Sequence, residues 1–352
     1  MRSLLFLALI AGAAVAQDDP KLAVAEPARD EIDSSTFISR AVFADGKLWV
    51  LADNGELSSI TPGATTREFA QLPEPPVDIC RTPTGVAALT CSGTRCSSWT
   101  LRRRIDGQWN TGEVIATRGE PLVALHCDGS SGLIVSTRRA IDVSKPQSAL
   151  RFSRAISKDL VAATHVTKEY IFVGLNAGEW GGGLTRIDRR TGRVEVIEKK
   201  LGDGACKEPL DAACDPVNAI VDAPDKPGCV LVAIGLVHFL AHGRIVEVCG
   251  RDVRTVYSRT FKFNVENEEM ANLENEEAFF GLAAAGTQRI AVGVAGLYRF
   301  SGAPQPLISP LPEFKVVDGI CVNFDQSDVA LVLTTINRRR SVSGNTPLLV
   351  LR

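Results

Sequence analysis

The stretch Phe37-Ile38-Ser39-Arg40-Ala41-Val42-Phe43, then Ala44-Asp45-Gly46, then Lys47-Leu48-Trp49-Val50-Leu51-Ala52, sets the reading of this chain. Two short runs of aliphatic, β-branched and aromatic residues are joined by an Asp-Gly turn, the pattern of a β-hairpin. The same unit recurs: an apolar strand, a polar turn, and a second strand richer in Val, Leu and Ile. Starting near residue 37, it begins again at Val77, Leu122, Leu160, Val217, Phe279 and Val316. Successive starts lie 40, 45, 38, 57, 62 and 37 residues apart, and 36 residues follow the last. Four-stranded blades repeat about every 40–50 residues, so the spacing predicts an all-β, seven-bladed β-propeller. Two tandem β-sandwiches are the alternative, although no linker-like break divides the repeats.

Further strands belong to the units. Leu184-Thr185-Arg186-Ile187-Asp188 and Gly296-Leu297-Tyr298-Arg299-Phe300 read as third strands, and Val194-Glu195-Val196-Ile197 as a fourth. The last unit ends after three strands, so Lys21-Leu22-Ala23-Val24 is expected to supply its outer strand and close the ring. Gly296-Leu297-Tyr298-Arg299-Phe300 and Ile187-Asp188-Arg189-Arg190-Thr191-Gly192-Arg193 are similar to repeats of bacterial regulator-type and related β-propellers. The resemblance is diffuse, implies the fold, and assigns no catalytic residue.

Residues 1–16 have the three parts of a secretory signal: a positive start at Arg2, an apolar run Leu4–Ala11, and Ala14-Val15-Ala16 before Gln17. The expectation is a periplasmic or secreted chain, with residues 17–352 as a single propeller domain. A span of about 20 apolar residues, as a membrane helix requires, is missing, and no membrane anchor is expected. Without the leader, 38 basic side chains face 41 acidic ones; that balance lacks the positive excess of a nucleic-acid surface. The runs Arg102-Arg103-Arg104 and Arg338-Arg339-Arg340 read as solvated loops or strand edges. Nine cysteines in an oxidising compartment point to disulfides. Cys91/Cys96 and Cys206/Cys214 are the close pairs, and the odd number leaves at least one thiol over. No zinc-type cysteine spacing occurs.

In a propeller, loops joining blades and loops joining second to third strands share one face. Insertions fall on such loops at 176–183, 202–215, 264–278 and 336–345, three of them in units four to six. Loops on a rigid scaffold are where function concentrates, so this sector is the expected contact surface for a protein, small-molecule or glycan partner of a monomeric binding protein. Glu179-Trp180 beside three glycines is its most distinctive feature. Trp180 either stacks on a partner or caps the blade core. The runs Glu266–Glu269 and Glu274–Glu277, with Met270, Leu273 and Ala278, read as a short acidic amphipathic helix.

An enzymatic alternative rests on Asp78, Asn218 and Asp318, each near the start of an inner strand. Their oxygens are suitable calcium ligands, and calcium-dependent lactonase-like propellers use a comparable set. Those enzymes are typically six-bladed, however, and units one, three and four offer Ser39, Ala124 and Ala162 there. The same three residues also suit ties between neighbouring blades. No cofactor is expected on the binding reading, and calcium on the hydrolase reading. His238 and His242 on one extended strand would stand about 13 Å apart, too far to share an ion. No nucleophile elbow, zinc-protease motif or dinucleotide fingerprint appears.

Overall fold

The computed structural model describes residues 38–61, 64, 66–129, 131–200, 209–238, 240–261, 275–285, 288–302, 305–310, 320–326, 329–334 and 347–351. Six antiparallel meanders of four strands follow one another along the chain. Blade one contains β1 (Ile38–Ala44), β2 (Lys47–Ala52), β3 (Leu57–Ile60) and β4 (Glu68–Phe69). Blade two contains β5 (Pro76–Thr82), β6 (Gly85–Ser92), β7 (Ser98–Ile105) and β8 (Gln108–Ala116). In blade three these are β9 (Leu122–Asp128), β10 (Ser131–Ser136), β11 (Arg139–Asp142) and β12 (Leu150–Arg151). Blade four has β13 (Val161–Val166), β14 (Tyr170–Asn176), β15 (Gly182–Asp188) and β16 (Val194–Ile197). Blade five has β17 (Val217–Asp222), β18 (Cys229–His238), β19 (Leu240–Cys249) and β20 (Asp252–Tyr257). A ribbon of β21 (Thr260–Phe261) and β22 (Asn275–Glu276) precedes blade six, which has β23 (Phe279–Ala285), β24 (Gln288–Gly293), β25 (Gly296–Phe300) and β26 (Leu307–Ser309).

Among the described residues the chain builds six four-stranded blades, where the spacing predicted seven. Its last unit forms a three-stranded sheet, β27 (Ile320–Gln326), β28 (Val329–Thr334) and β29 (Pro347–Leu351). The inner strand β27 lies against β23 on one side and β1 on the other. Lys21–Val24, expected as the missing outer strand, lie outside the described residues. The sheets stand side by side around a ring rather than as two stacked pairs, which sets aside the tandem sandwiches.

Alternation along each central strand explains the packing. On β18, Val230, Val232 and Ile234 join a core with Phe172 and Leu184 of blade four. The intervening Leu231 and Ala233 join a core with Phe279, Leu282 and Tyr298 of blade six. On β6, Val86 and Ala88 face blade one, while Ala87 and Leu89 face blade three. A strand buried on both faces needs an unbroken apolar run, which is why second strands read as the most hydrophobic pieces. Each large aliphatic side chain so buried contributes about 1.5–3 kcal/mol. Turn chemistry agrees: Asp45 and Gly46 take φ 53° and 68° between β1 and β2, and Asp106 and Gly107 take φ 49° and 80° between β7 and β8.

Disulfides add covalent ties. Cys80–Cys127 joins the inner strands of blades two and three, Cys91–Cys96 closes the loop between β6 and β7, and Cys229–Cys249 links opposed residues of β18 and β19. Cys214 is disulfide-bonded, while Cys206 lies outside the described residues. Among the described residues, no helix is long and apolar enough to cross a membrane.

Chain-entropy scaling predicts how much each bridge contributes. Sequence separations of 47, 20 and 5 residues correspond to about 4, 3 and 2 kcal/mol. Replacing both partners by alanine is expected to destabilise the protein in that order, measured by denaturant unfolding of the three double variants.

Candidate functional site

All six complete blades begin their inner strand with the same irregularity. The register skips one residue at Ser39, Val77, Val123, Ala162, Asn218 and Phe280. A β-bulge of this kind re-aims a side chain and increases local twist. The six bulged residues line the mouth of a central cavity of about 1450 Å³. The mouth face also carries the connections between blades and the loops from second to third strands.

At that mouth the sequence-selected polar residues have inter-blade tasks. Asp78 is buried; its Oδ1 accepts the Ile79 N–H at 2.8 Å and its Oδ2 accepts the Leu125 N–H of blade three at 2.7 Å. Arg40 Nε of blade one stands 3.7 Å away. Burial raises the Asp78 pKa against these attractions. Asn218 donates to Gly235 O at 2.7 Å and to Phe279 O of blade six at 3.0 Å, and accepts from Asn176 Nδ2 of blade four at 2.8 Å. Blades two and five do not adjoin, and Asp318 lies outside the described residues. Among the described residues, no cluster of three or more His, Cys, Asp or Glu could hold a metal ion. Ser39 donates to Leu51 O at 3.0 Å within its own blade.

A recurrent feature escaped the sequence reading. Two residues before β5, β9, β17 and β23 stand Glu74, Glu120, Asp215 and Glu277, and proline follows the first three. Proline offers no N–H and a fixed φ, so it holds the turn into the strand while the carboxylate points back to the third strand. Glu74 pairs with Arg102, Glu120 with Arg139 (Nε at 2.9 Å) and Asp215 with Arg244 (Nη2 at 2.5 Å). All three arginine side chains are 6% exposed. Their remaining donors reach Thr111 Oγ1, the carbonyls of Ala116 and Thr117, and Pro209 O. Arg102, expected in a solvated run, is therefore a core residue; Arg338–Arg340 lie outside the described residues. The acid-Pro pair at the head of blades two, three and five was the available signal. Asp318 occupies the corresponding place in sequence, two residues before Ile320.

Blades four to six carry the built-up sector. Gly178–Trp180 form a 3-10 turn between β14 and β15. Gly182 N–H donates to Ala212 O at 2.9 Å and Gly183 N–H to Asp215 O at 2.8 Å, pinning this loop to the connection entering blade five. Glycine is required at Gly181 and Gly183. Both have positive φ, and an added Cβ would lie 2.4 Å from Ala212 O or 2.7 Å from Ala212 Cβ. Trp180 does not cap the blade core: it is 78% exposed at the tip of the pinned loop. Glu179 Oε2 meets His238 Nδ1 at 2.9 Å, connecting the loop to β18.

Two sequence expectations change here. His238 and His242 lie on opposite strands of the β18–β19 hairpin, opposed to Leu240 and Leu236. His242 donates from Nε2 to Cys214 O at 3.1 Å, and burial lowers its pKa. Of the expected acidic helix, residues 264–274 lie outside the described residues, and Asn275–Glu276 are strand β22. Asn275 and Glu277 are fully buried. Their oxygens accept the N–H groups of Ala241 and Ala295, both at 2.8 Å; these bonds to residues 34 and 18 positions away favour the extended form.

No sequence model of a known protein family matches the chain, and no curated protein matches it in sequence. Solved structures are similar in shape. YCF48 from Cyanidioschyzon merolae is 10% identical, with 91% of this chain and 97% of that one covered and a TM-score of 0.52. YCF48 bound to D1 peptide is 12% identical, with 93% and 97% covered and a TM-score of 0.54. At such identity the likeness shows the β-propeller fold alone.

Asn218→Ala is expected to lower stability by about 1–3 kcal/mol, because buried carbonyls lose their donor. Millimolar calcium is expected to leave the melting temperature of the parent chain unchanged, which calorimetry checks. Asp215→Ala removes the close partner of buried Arg244 and leaves only Glu276, at 3.9 Å, so a loss of about 3–5 kcal/mol follows. Burial also pushes the Asp215 carboxyl up to about 6, against the pull of Arg244. The folded chain then holds this proton more tightly than the unfolded one. Its contribution is full below about pH 4 and is lost, by about 3 kcal/mol, as pH rises through 6. Urea unfolding from pH 4 to 7 should show that slope in the parent chain and its disappearance in Asp215→Asn.

Proposed function

We propose that this chain is an exported, non-enzymatic β-propeller that binds a protein partner through the face of blades four to six. The observation that carries this reading is Trp180, 78% exposed on a loop fixed by hydrogen bonds and close glycine contacts. An aromatic held in place before binding loses little conformational entropy on contact, and such anchors dominate interface energies. Exposed Val237 at the end of β18 and Leu160 before β13 extend the apolar area on the same face. The peptide seen bound to YCF48, a protein of the same fold, supports a protein or peptide segment as the ligand class.

The signal-like residues 1–16 and the disulfides support export to a periplasm or beyond. On this reading residues 17–352 make one domain, and the three-stranded sheet β27–β29 serves as the seventh sector of the ring. The hydrogen bonds of Asp78 and Asn218 favour structural ties over the calcium-dependent hydrolase.

The test is panning of a displayed random 12-residue peptide library on the immobilised chain. Selected peptides are expected to bind at least 10-fold more weakly to Trp180→Ala, with a melting temperature within about 1 °C of the parent because so exposed a side chain packs little. Peptides that bind the variant equally well, or an empty selection, would overturn the reading.

A further inference from the structure

We propose that the partner group seated on Trp180 is an arginine side chain from a basic, extended segment; this rests on the reading of Trp180 as contact surface. The first support is local. Glu179 adjoins Trp180 in the same 3-10 turn, and its side chain is 48% exposed beside His238. An indole face attracts a cation, and a carboxylate next to it accepts the forked N–H groups of a guanidinium. Arginine meets both demands at once because its head is planar, whereas an ammonium is a compact, strongly hydrated point charge.

The second support is the charge of the sector. The described parts of the inserted segments, 176–183, 209–215 and 275–278, carry five carboxylates and no lysine or arginine. Several of these are neutralised internally, as Asp215 is by Arg244 and Asp211 by Lys200 at 3.4 Å. Glu179 and Glu276 remain substantially exposed. Across the same face, the exposed residues Arg95, Arg118 and Arg138 belong to blades two and three and their connections. Among the described residues the mouth face is therefore bipolar, and a basic segment is drawn to the side that holds Trp180 while an acidic one is drawn away.

Fluorescence reads this contact directly. Trp49 and Trp99 are buried and Trp109 is partly buried, so subtracting the Trp180→Phe spectrum isolates the exposed indole. The probes are a capped Gly-Arg-Gly-Arg-Gly peptide, its citrulline and lysine counterparts, and maltohexaose. Saturable change with the arginine peptide is expected, at least 10-fold weaker binding for citrulline, and about 3-fold weaker for lysine. Glu179→Gln, which removes the exposed pair with His238, should weaken the arginine peptide at least 5-fold while lowering the melting temperature by no more than about 2 °C. Equal binding of the citrulline peptide, or a response to maltohexaose alone, overturns the arginine assignment. If the library peptides still depend on Trp180 but lack arginine, the contact surface stands and this inference falls. If neither set touches Trp180, both fail.

Discussion

A blade of this protein buries both faces against its neighbours, and that constraint governs most of the rest. Val230, Val232 and Ile234 on one side of β18, and Leu231 and Ala233 on the other, belong to two different inter-blade cores. No blade can satisfy its own apolar surface, so each depends on its neighbours in the ring. Polar groups that fall inside it must find partners within their blade or across blades, since an unpaired buried group costs about 1–3 kcal/mol and an unpaired buried charge more.

The carboxylate–arginine pairs at the heads of blades two, three and five answer that requirement where the chain turns inward. Each pair closes the start of an inner strand onto a third strand, and proline fixes the turn between them. Asn218 and Asp78 do related work one step further in, joining blades through backbone groups at the bulges. A buried ion pair is poor evidence of net stability against an apolar replacement. Its value here is geometric: it fixes where each inner strand begins, and so which residue bulges toward the mouth.

With the ring rigid and its polar interior satisfied, the mouth-face loops are free to vary. In blades four to six they have grown and fastened to one another. The loop carrying Trp180 bonds to the connection at Ala212 and Asp215, Ala241 of the hairpin bonds to Asn275, and His238 meets Glu179. Trp180 is thereby displayed on a fixed support rather than on a mobile tip, as the proposed binding role requires.

Local pattern determined a good deal by itself. Asp45-Gly46 marks its hairpin because only residues tolerant of positive φ serve that turn, and the apolar second strands announce burial on both faces, hence a propeller. Cys91 and Cys96 are close enough for spacing alone to single them out. The acidic segment of the connection entering blade six shows the limit: Asn275 and Glu277 look solvated in sequence, yet each is fully buried with its oxygen on a backbone N–H. Likewise Arg102 sits in a run that reads as surface, and its burial depends on Glu74, 28 residues away. Cys80–Cys127 depends on two inner strands becoming neighbours. The sequence determined strands, turns and fold class, because those follow from the period of side chains along one strand. Only the tertiary structure decided the number of complete blades, the partners of Asp78 and Asn218, and the exposure of Trp180, because each is set by what a neighbouring blade brings into contact.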